Sequence, residues 1–373
     1  MAVLFGGLAK PPCDVGSRGL KPAARKPCGF RPAVPDDIVE RGVECVGETA
    51  AIILAAGKST RMKSELPKVL HEVCGRPMLS FVLGACRLAG VDRILVVVGH
   101  GQELVRGKFE AETGVTWVEQ TQQKGTGHAV LCCRSALDGF VGNVMVIAGD
   151  MPLVRRETLA QLIEEREQSG DALTLATTIL EEPAGYGRII RAADGSIESI
   201  VEHRDCTDEQ RAIHEVNPSY YCFDASSMWT CLDQVKPDKT KGEIYVTDAV
   251  RVFRGRGQTV SAIACVPSED ATGINSRLDL TLVGRLMEDR IQYALMEEGV
   301  SIVDPETTWI EADVTIGRDT TIQPFSFVGA GSRIGDRCRI GPFAHVASDT
   351  TVADDRYVGP DSAGVACVGV GAS

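Results

Sequence analysis

The chain has 373 residues, of which 44% are hydrophobic and 24% are charged, and its formal net charge is -12. This length is enough for about two or three domains and for a sizeable apolar core. A negative chain is poorly suited to bind nucleic acids or anionic membranes, so we expect no nucleic-acid partner and no membrane surface. Apolar runs also stay well short of the roughly 18 to 20 residues that a membrane span requires.

The cysteines and histidines show no pattern of a disulfide framework or a metal centre. The thirteen cysteines are odd in number and lack a C-x-x-C pair, and the six histidines lack metal-ligand spacing. We therefore predict reduced, mostly buried thiols and a cytoplasmic location.

Residues 1–48 are rich in proline, glycine and basic residues and show no apolar period. We predict that they form a disordered extension. Two interpretations stay open: a transit-like segment, or a start codon assigned too far upstream, which we favour. A secretion signal is not indicated, because no basic region precedes the apolar start.

In residues 49–275, short apolar runs alternate with amphipathic segments. The predicted elements are strands at 50–56, 93–99, 114–119 and 144–149, and helices at 77–90, 126–137 and 157–168. Such alternation predicts an α/β, Rossmann-like domain with a mostly parallel sheet that is covered on both faces. Residues 172–265 contain more strands and fewer helices, and we interpret them as the substrate-binding half. Ligands of such sheets bind at the carboxyl ends of the strands.

Residues 276–299 predict one long helix that links two domains. Apolar residues recur there at helical spacing, and Gly299 is placed to end the helix. The apolar positions are Leu278, Leu282, Leu286, Ile291 and Leu295.

Residues 300–361 carry a repeat of six residues. Its aliphatic positions are Ile316, Ile322, Val328, Ile334, Ile340, Val346, Val352 and Val358. Such hexapeptide repeats predict a short parallel β-helix, with fewer than three coils if three hexads form one coil. Residues 362–373 lack the period, and we predict an irregular tail.

The loop after the first predicted strand reads LAAGKSTRM, residues 54–62. An ATPase-type phosphate loop needs a glycine five positions before Gly57, and Ile52 stands there. The small residues still let backbone N–H groups approach a nucleotide, and Arg61 and Lys68 place two cations for phosphate oxygens. The alternative is an ordinary glycine turn with surface cations.

Six motifs then occur in order along the chain. They are LAAGKSTRMKSELPKVLH (54–71), EQTQQKGTGHA (119–129), AGDMPL (148–153), GYGRI (185–189), IVEHRDCTDEQRAIHEVN (200–217) and GINSRL (273–278). Over about residues 50–362 the set resembles the bacterial N-acetylglucosamine-1-phosphate uridylyltransferases, the amino-terminal half of bifunctional enzymes that also acetylate glucosamine-1-phosphate. The resemblance implies a nucleotidyltransferase domain followed by a left-handed β-helix. It implies UTP and N-acetylglucosamine-1-phosphate as substrates, for cell-wall and lipopolysaccharide precursors.

The resemblance also assigns roles to single residues. The implied substrate-binding residues are Leu54, Ala55, Ala56, Gly57 and Lys68 for the nucleotide, Gln120, Gly125 and Thr126 for uracil, Gly187, Glu202 and Asn217 for the amino sugar, and Ala148, Gly149, Asp150 and Asn275. Ala148 and Pro218 depart from the family pattern. Arg61 and Lys68 are the implied catalytic cations in an in-line attack of the sugar phosphate on UTP, for which no general base is required.

Asp150 follows the predicted strand at 144–149, and its alternative role is to cap a helix. The resemblance pairs it with Asn275 as the two protein ligands of Mg²⁺. A carboxylate and an amide oxygen suit this ion, which prefers oxygen donors and takes few of them from protein.

The β-helix raises two further expectations. Ala347 and Ser348 replace the arginine and proline of the family's acetylation site, and the family's later motifs do not follow. We therefore predict no acetyltransferase activity and a surface position for His345. We expect either a homotrimer through the β-helix or a fraying remnant with an exposed edge.

Two other functions stay open. One is a nucleotidyltransferase for another pair, such as glucose-1-phosphate with dTTP or UTP. The other is a non-catalytic protein that binds a sugar nucleotide through the same fold.

Overall fold

A computed structural model of the chain describes residues 47–58, 60–238 and 242–360. The predicted tail lies outside this part, as does the predicted extension apart from its last two residues.

The strands up to residue 263 are β1 (Glu48–Leu54), β2 (Glu72–Val73), β3 (Arg76–Pro77), β4 (Arg93–Val98), β5 (Val115–Glu119), β6 (Gly142–Ala148), β7 (Leu173–Ile179), β8 (Gly187–Arg191), β9 (Ile197–Val201), β10 (Glu215–Asp224) and β11 (Val260–Ile263). The helices are α1 (Met78–Leu88), α2 (Gln102–Lys108), α3 (Thr126–Leu131), α4 (Arg156–Ser169), α5 (Asp208–Arg211), α6 (Ala225–Leu232), α7 (Ala249–Gly255) and α8 (Arg277–Glu297).

The central sheet has the strand order β11-β7-β10-β6-β1-β4-β5, and β8 and β9 join it beside β10. Along this path only β10 runs against the other strands. Parallel neighbours need crossover connections, which α1, α2 and α3 provide between β1, β4, β5 and β6. The sheet is therefore mostly parallel, as the alternation of elements predicted.

Strand β1 lies near the middle of the sheet and is apolar on both faces. Ala51 and Ile53 pack into one core, and Ala50 and Ile52 pack into the other. Successive side chains of a strand point to opposite faces, so a continuous apolar run is required where helices cover both.

The helices predicted at 77–90 and 157–168 are confirmed as α1 and α4. The helix predicted at 126–137 is too long, because α3 ends at Leu131 and a separate 3₁₀ turn follows at Arg134–Leu137. Helices α2, α6 and α7 are short, and the apolar pattern did not predict them.

Helix α8 confirms the predicted long helix. Ser276 and Asp279 form a capping box at its start. At its end Gly299 has φ +101°, and the Val300 N–H donates to the Leu295 carbonyl at 3.0 Å.

The predicted apolar face of α8 is wrong in its first turns. Leu278 is 82% exposed and Leu282 is 52% exposed. The residues that α8 buries are Val283, Gly284, Met287, Glu288, Gln292 and Leu295. Gln292 donates to the Pro305 and Thr308 carbonyls, so hydrogen bonds as well as apolar contacts hold this face.

The remaining strands are two residues long: β12 (Ser301–Ile302), β13 (Trp309–Ile310), β14 (Thr315–Ile316), β15 (Thr321–Ile322), β16 (Phe327–Val328), β17 (Arg333–Ile334), β18 (Arg339–Ile340), β19 (His345–Val346), β20 (Thr351–Val352) and β21 (Tyr357–Val358). They form three parallel sheets, β12-β15-β18-β21, β13-β16-β19 and β14-β17-β20. All eight predicted repeat positions are buried in the core between these sheets. The expected coil number is too low, because β12 and β13 precede the first predicted hexad and bring the helix to just over three coils.

The β-helix packs directly on the sheet domain. The Ala312 N–H donates to the Cys74 carbonyl at 2.9 Å, and Arg76 forms an ion pair with Asp313 at 2.8 Å. His345 is exposed on β19 and stacks on Phe327, with ring centroids 4.9 Å apart.

The described cysteines are nine free thiols, most of them buried, as predicted. Among the described helices, none is long and apolar enough to cross a membrane.

Candidate active site

A cavity of about 1180 Å³ opens beyond the carboxyl ends of β1 and β6. The predicted site residues that line it are Leu54, Ala55, Ala56, Gly57, Arg61, Lys68, Gln120, Gly125, Thr126, Ala148, Asp150, Gly187, Glu202, Asn217 and Asn275. Gly149 lies just behind this lining, where its N–H donates to the Leu54 carbonyl at 2.9 Å. A Cβ on Gly149 would lie only 2.9 Å from that same oxygen, so glycine allows β6 to approach β1 closely.

Charged residues gather at one end of the cavity. We call it the phosphate end, and we name the other two parts below, after the roles that the sequence resemblance predicts for their residues. Lys68 Nζ forms an ion pair with the Asp150 carboxylate and donates to Asn275 Oδ1 at 3.0 Å. Arg61 donates to the same amide oxygen at 2.8 Å. Residues separated by more than two hundred positions thus meet as a cluster of two cations, one carboxylate and one amide.

The helix-capping alternative for Asp150 does not hold. The next helix, α4, begins at Arg156 with Arg155 at its N-cap and no side-chain cap. The carboxylate instead faces the cavity, where it and Asn275 Oδ1 both contact one ammonium group. Two oxygen donors that share one cation suit Mg²⁺, which takes oxygen ligands and usually few from protein. The described residues contain no group of three or more His, Cys, Asp or Glu arranged for a metal ion.

Asn275 is held by the start of α8. The Asp279 carboxylate accepts hydrogen bonds from the Asn275 and Ser276 N–H groups at 2.9 and 2.8 Å. The Ile274 N–H also donates to the Asp150 carbonyl at 3.0 Å. The capping box therefore stabilises both the helix and the position of Asn275 beside Asp150.

A second part of the cavity, which we call the base end, follows β5. Gln120 is 4% exposed, and its side-chain amide nitrogen contacts the Gly125 carbonyl at 3.1 Å and His128 Nδ1 at 3.0 Å. Gly125 has φ +92°, and a Cβ there would lie 2.4 Å from the Ile244 carbonyl oxygen. Only glycine fits this turn.

The segment from Glu243 to Thr247 also lines the cavity, and the sequence patterns did not predict it. Its backbone is tied to the loop at the base end. Thr126 Oγ1 accepts from the Val246 N–H at 3.0 Å, and the Gly127 N–H donates to the Ile244 carbonyl at 2.8 Å. The segment has no apolar period, so its place is set by these long-range hydrogen bonds.

The third part, the sugar end, lies where β8, β9 and β10 meet. Gly187 is paired with Asn217 across β8 and β10, and Glu202 directly follows β9. The Asn217 amide nitrogen donates to Tyr221 Oη at 2.6 Å, and its oxygen accepts from the Ser219 N–H at 3.1 Å. The three predicted sugar residues therefore lie together, although much of the Asn217 amide is already hydrogen-bonded to protein.

Burial affects the acid–base properties of this end. It raises the pKa of the Glu202 carboxyl, while a hydrogen bond from Thr247 Oγ1 at 3.4 Å lowers it in part. Burial, with the charge of Asp279 beside it, also raises the pKa of Tyr186, whose hydroxyl donates to the Ala271 carbonyl at 3.1 Å. Tyr186 is a further cavity residue that lay within a predicted motif without an assigned role.

Comparisons with known proteins agree with this architecture. The family model of the MobA-like NTP transferase domain matches residues 51–215. The bifunctional protein GlmU of Geotalea daltonii is 42% identical over 291 residues, which are 78% of this chain and 64% of that protein. GlmU of Geobacter metallireducens is 43% identical, with 78% of this chain and 61% of that protein covered. GlmU of Syntrophotalea carbinolica is 44% identical over 77% of this chain and 62% of its own length. The chain thus spans less than two thirds of the length of these relatives.

Proposed function

We propose that this chain, which contains a MobA-like NTP transferase domain and is a relative of the bifunctional GlmU proteins, makes UDP-N-acetylglucosamine from UTP and N-acetylglucosamine-1-phosphate. The convergence of Lys68, Asp150, Asn275 and Arg61 at one end of a cavity of about 1180 Å³ carries this proposal. The product would be a precursor for cell wall, peptidoglycan and lipopolysaccharide, made in the cytoplasm.

In the proposed reaction, a phosphate oxygen of the sugar-1-phosphate forms a bond to the α-phosphorus of UTP. The bond between that phosphorus and the bridging oxygen breaks, and pyrophosphate leaves. Both reactants are anions, so their approach must be made favourable by positioning and by positive charge. Arg61 and Lys68 supply that charge from the protein, and no general base is needed because the attacking oxygen is already ionised.

Asp150 and Asn275 are the residues that would hold Mg²⁺. When bound, the ion would neutralise phosphate charge and orient the phosphate oxygens. The remaining ligands would come from phosphate and water, consistent with the small number of protein oxygens at this place.

The other two parts of the cavity account for the choice of substrates. Gln120, with Gly125 and Thr126, would recognise uracil through amide and backbone groups. Glu202 and Asn217 would accept or donate hydrogen bonds to the hydroxyl and acetamido groups of the sugar, beside Gly187. A buried amide that is left without a partner costs about 1 to 3 kcal/mol, which is enough to exclude a wrong base.

The test is a pyrophosphate-release assay with Mg²⁺ over a grid of nucleoside triphosphates and sugar-1-phosphates. UTP with N-acetylglucosamine-1-phosphate should be far ahead of every other pair. Faster turnover of dTTP or UTP with glucose-1-phosphate would instead show the alternative nucleotidyltransferase. Tight binding of the product UDP-sugar without turnover of any pair would show the non-catalytic binding protein.

We also propose that the described β-helix does not acetylate glucosamine-1-phosphate. His345 stacks on Phe327 and lies outside the cavity, and the neighbouring Ala347 and Ser348 offer no cation for a phosphate. Loss of the free amine of glucosamine-1-phosphate in the presence of acetyl-CoA, measured with pure protein, would contradict this proposal.

A homotrimer through the β-helix is the assembly that we propose. Phe325 and Phe343 are 56% and 63% exposed on this part of the chain and stack on each other at 5.1 Å, and large exposed apolar side chains favour association. Sedimentation analysis should give three times the mass of the chain. A monodisperse monomer would contradict the trimer.

A further inference from the structure

Gln120 is oriented by two hydrogen-bond acceptors. Its amide nitrogen lies 3.1 Å from the Gly125 carbonyl oxygen and 3.0 Å from His128 Nδ1. Because a carbonyl oxygen can only accept, the atom that faces Gly125 must be the NH₂ group rather than the amide oxygen. The amide oxygen is therefore the side-chain atom left for a ligand, and no donor among the described residues contacts it.

The same geometry fixes the proton of His128. Nδ1 accepts from Gln120 only if it carries no proton, which leaves the proton on Nε2. Burial, together with the positive charge of Lys124, lowers the pKa of His128. The imidazole is therefore neutral at neutral pH and keeps an acceptor towards Gln120. Cys132 Sγ also lies 3.9 Å from this nitrogen.

We propose that His128 fixes the orientation of the Gln120 amide and so makes the site prefer a nucleobase that donates an N–H group to Gln120 over one that offers a bare ring nitrogen. This inference rests on the proposed function and deepens it. Uracil has such an N–H at ring position 3, whereas cytosine has an unprotonated nitrogen there. His128 is a positioning residue, because it acts through Gln120 and is absent from the residues that line the cavity.

The Gln120 amide can adopt two orientations of nearly equal shape, which differ by exchange of its oxygen and its NH₂ group. With both groups present, a flipped amide would oppose its oxygen to the Gly125 carbonyl, and it would also face the His128 Nδ1 acceptor unless the ring moved its proton from Nε2 to Nδ1. Without the His128 acceptor only one of these contacts disfavours the flip, and one hydrogen of the NH₂ group is left without a partner. The flipped amide would turn its NH₂ group to the base and could donate to the unprotonated ring nitrogen of cytosine.

A pair of variants of nearly equal shape separates the acceptor from the packing of the ring. His128→Asn can place its amide oxygen close to the position of Nδ1 and so accept from Gln120, and His128→Leu fills similar space without an acceptor. Each purified protein receives UTP and CTP together, with N-acetylglucosamine-1-phosphate and Mg²⁺, and the ratio of UDP-sugar to CDP-sugar is measured by mass spectrometry. This internal ratio does not depend on how much of the protein is active.

We expect the ratio in His128→Leu to fall roughly tenfold below that of the unchanged chain, as for the loss of one buried hydrogen bond. His128→Asn should stay within about threefold of the unchanged chain, because its acceptor restores the orientation. An unchanged ratio in His128→Leu would overturn the inference. Equal losses in both variants would also overturn it, since they would assign the effect to the ring itself.

The experiment gives a different result if the proposed function itself is wrong. If the unchanged chain transfers neither nucleotide, that function is contradicted, and the dissociation constants of UTP and CTP, measured by calorimetry, replace the product ratio. A ratio of these constants that falls in His128→Leu and recovers in His128→Asn would still support the inference. Binding of neither nucleotide, or equal ratios in all three proteins, would contradict it.

Discussion

The phosphate end and the base end of the cavity are built from different chemistry. At the phosphate end, Lys68 and Arg61 donate to one amide oxygen, and Lys68 also forms an ion pair with Asp150. At the base end, Gln120 and His128 are neutral and are hydrogen-bonded to each other. Attraction between charges is strong and acts over several ångströms with little dependence on angle, whereas a hydrogen bond depends on which atom donates.

We expect this difference in chemistry to separate effects on the reaction rate from effects on substrate selectivity. Changes at the phosphate end should slow the reaction for every pair of substrates, because all of them carry the same phosphates. Changes at the base and sugar ends should alter which substrates are used, because a site that leaves a buried polar group unpaired rejects that substrate. We expect the largest losses of activity at the phosphate end and smaller ones at the sugar end and at the start of α8.

Lys68→Ala and Asp150→Ala should each abolish UDP-sugar formation while the fold survives. Each removes one member of the ion pair at the phosphate end, and we expect a loss in kcat of at least a hundredfold, roughly the effect of removing one group that stabilises transition-state charge. Circular dichroism and thermal unfolding should show a folded protein. Lys63→Ala is the matched control, since Lys63 is an exposed lysine of the same loop that lies outside the cavity. Near-normal turnover in either variant would contradict the assignment of the phosphate end.

Glu202→Gln tests the sugar end. We expect KM for the sugar phosphate to rise about tenfold, which is the loss of roughly one hydrogen bond to a charged group, with KM for UTP little changed. Glu198→Gln is the control, because Glu198 is exposed on β9, close to Glu202 in sequence, and does not line the cavity. An equal rise in KM for the sugar phosphate and for UTP would show that the sugar end does not act separately from the nucleotide-binding parts of the cavity.

Glu202 should also make kcat/KM for the sugar phosphate depend on pH. Burial raises the pKa of Glu202 above its ordinary value of 4.5, so this carboxyl takes up a proton at a higher pH than an exposed glutamate does. The ionised form is the one that only accepts hydrogen bonds. We therefore expect kcat/KM for the sugar phosphate to fall as the pH is lowered, beginning above the usual range of a glutamate. A pH profile of Glu202→Gln should lack this acid limb, and an unchanged limb would assign it to another group.

The sequence predicted where Asp150 and the loop at Leu54 would lie because both follow strands, whereas Asn275 precedes α8 and was predicted only from the family resemblance. Asp150 and the loop that begins at Leu54 stand at the ends of apolar runs, and parallel strands bring such positions to one edge of a sheet. The hexapeptide period was also informative, since the aliphatic residue at every sixth position faces the core of the β-helix. Local periods can be read from the sequence when one face of each element is buried.

Other features depend on long-range contacts that carry no local period. The segment from Glu243 to Thr247 reaches the cavity through hydrogen bonds to the loop at 124–127. The first turns of α8 have apolar residues at helical spacing, yet Leu278 and Leu282 face solvent while polar Gln292 is buried. Burial along α8 is set by packing on the sheet domain at Val283 and Met287 and on the β-helix at Leu295, and periodicity alone does not predict these contacts.

Asp279→Ala should have the smallest effect, because Asp279, although it lines the cavity, contacts the phosphate end through the backbone of Asn275. Its carboxylate caps α8 and accepts from the Asn275 N–H. Loss of this contribution to the cap should lower the free energy of unfolding by about 1 kcal/mol, which urea unfolding would measure. We expect kcat to fall by only a few-fold, since Lys68 and Arg61 still contact the Asn275 side chain.

The control for this variant is Asp289→Ala, which removes an exposed carboxylate from the middle of the same helix. It should leave kcat unchanged. If Asp279→Ala loses stability but keeps full kcat, the side-chain contacts alone position Asn275, and the capping box belongs to the stability of α8. If kcat instead falls as far as in Asp150→Ala, the backbone position of Asn275 limits the reaction, and the phosphate end depends on precise hydrogen-bond geometry as much as the base end does.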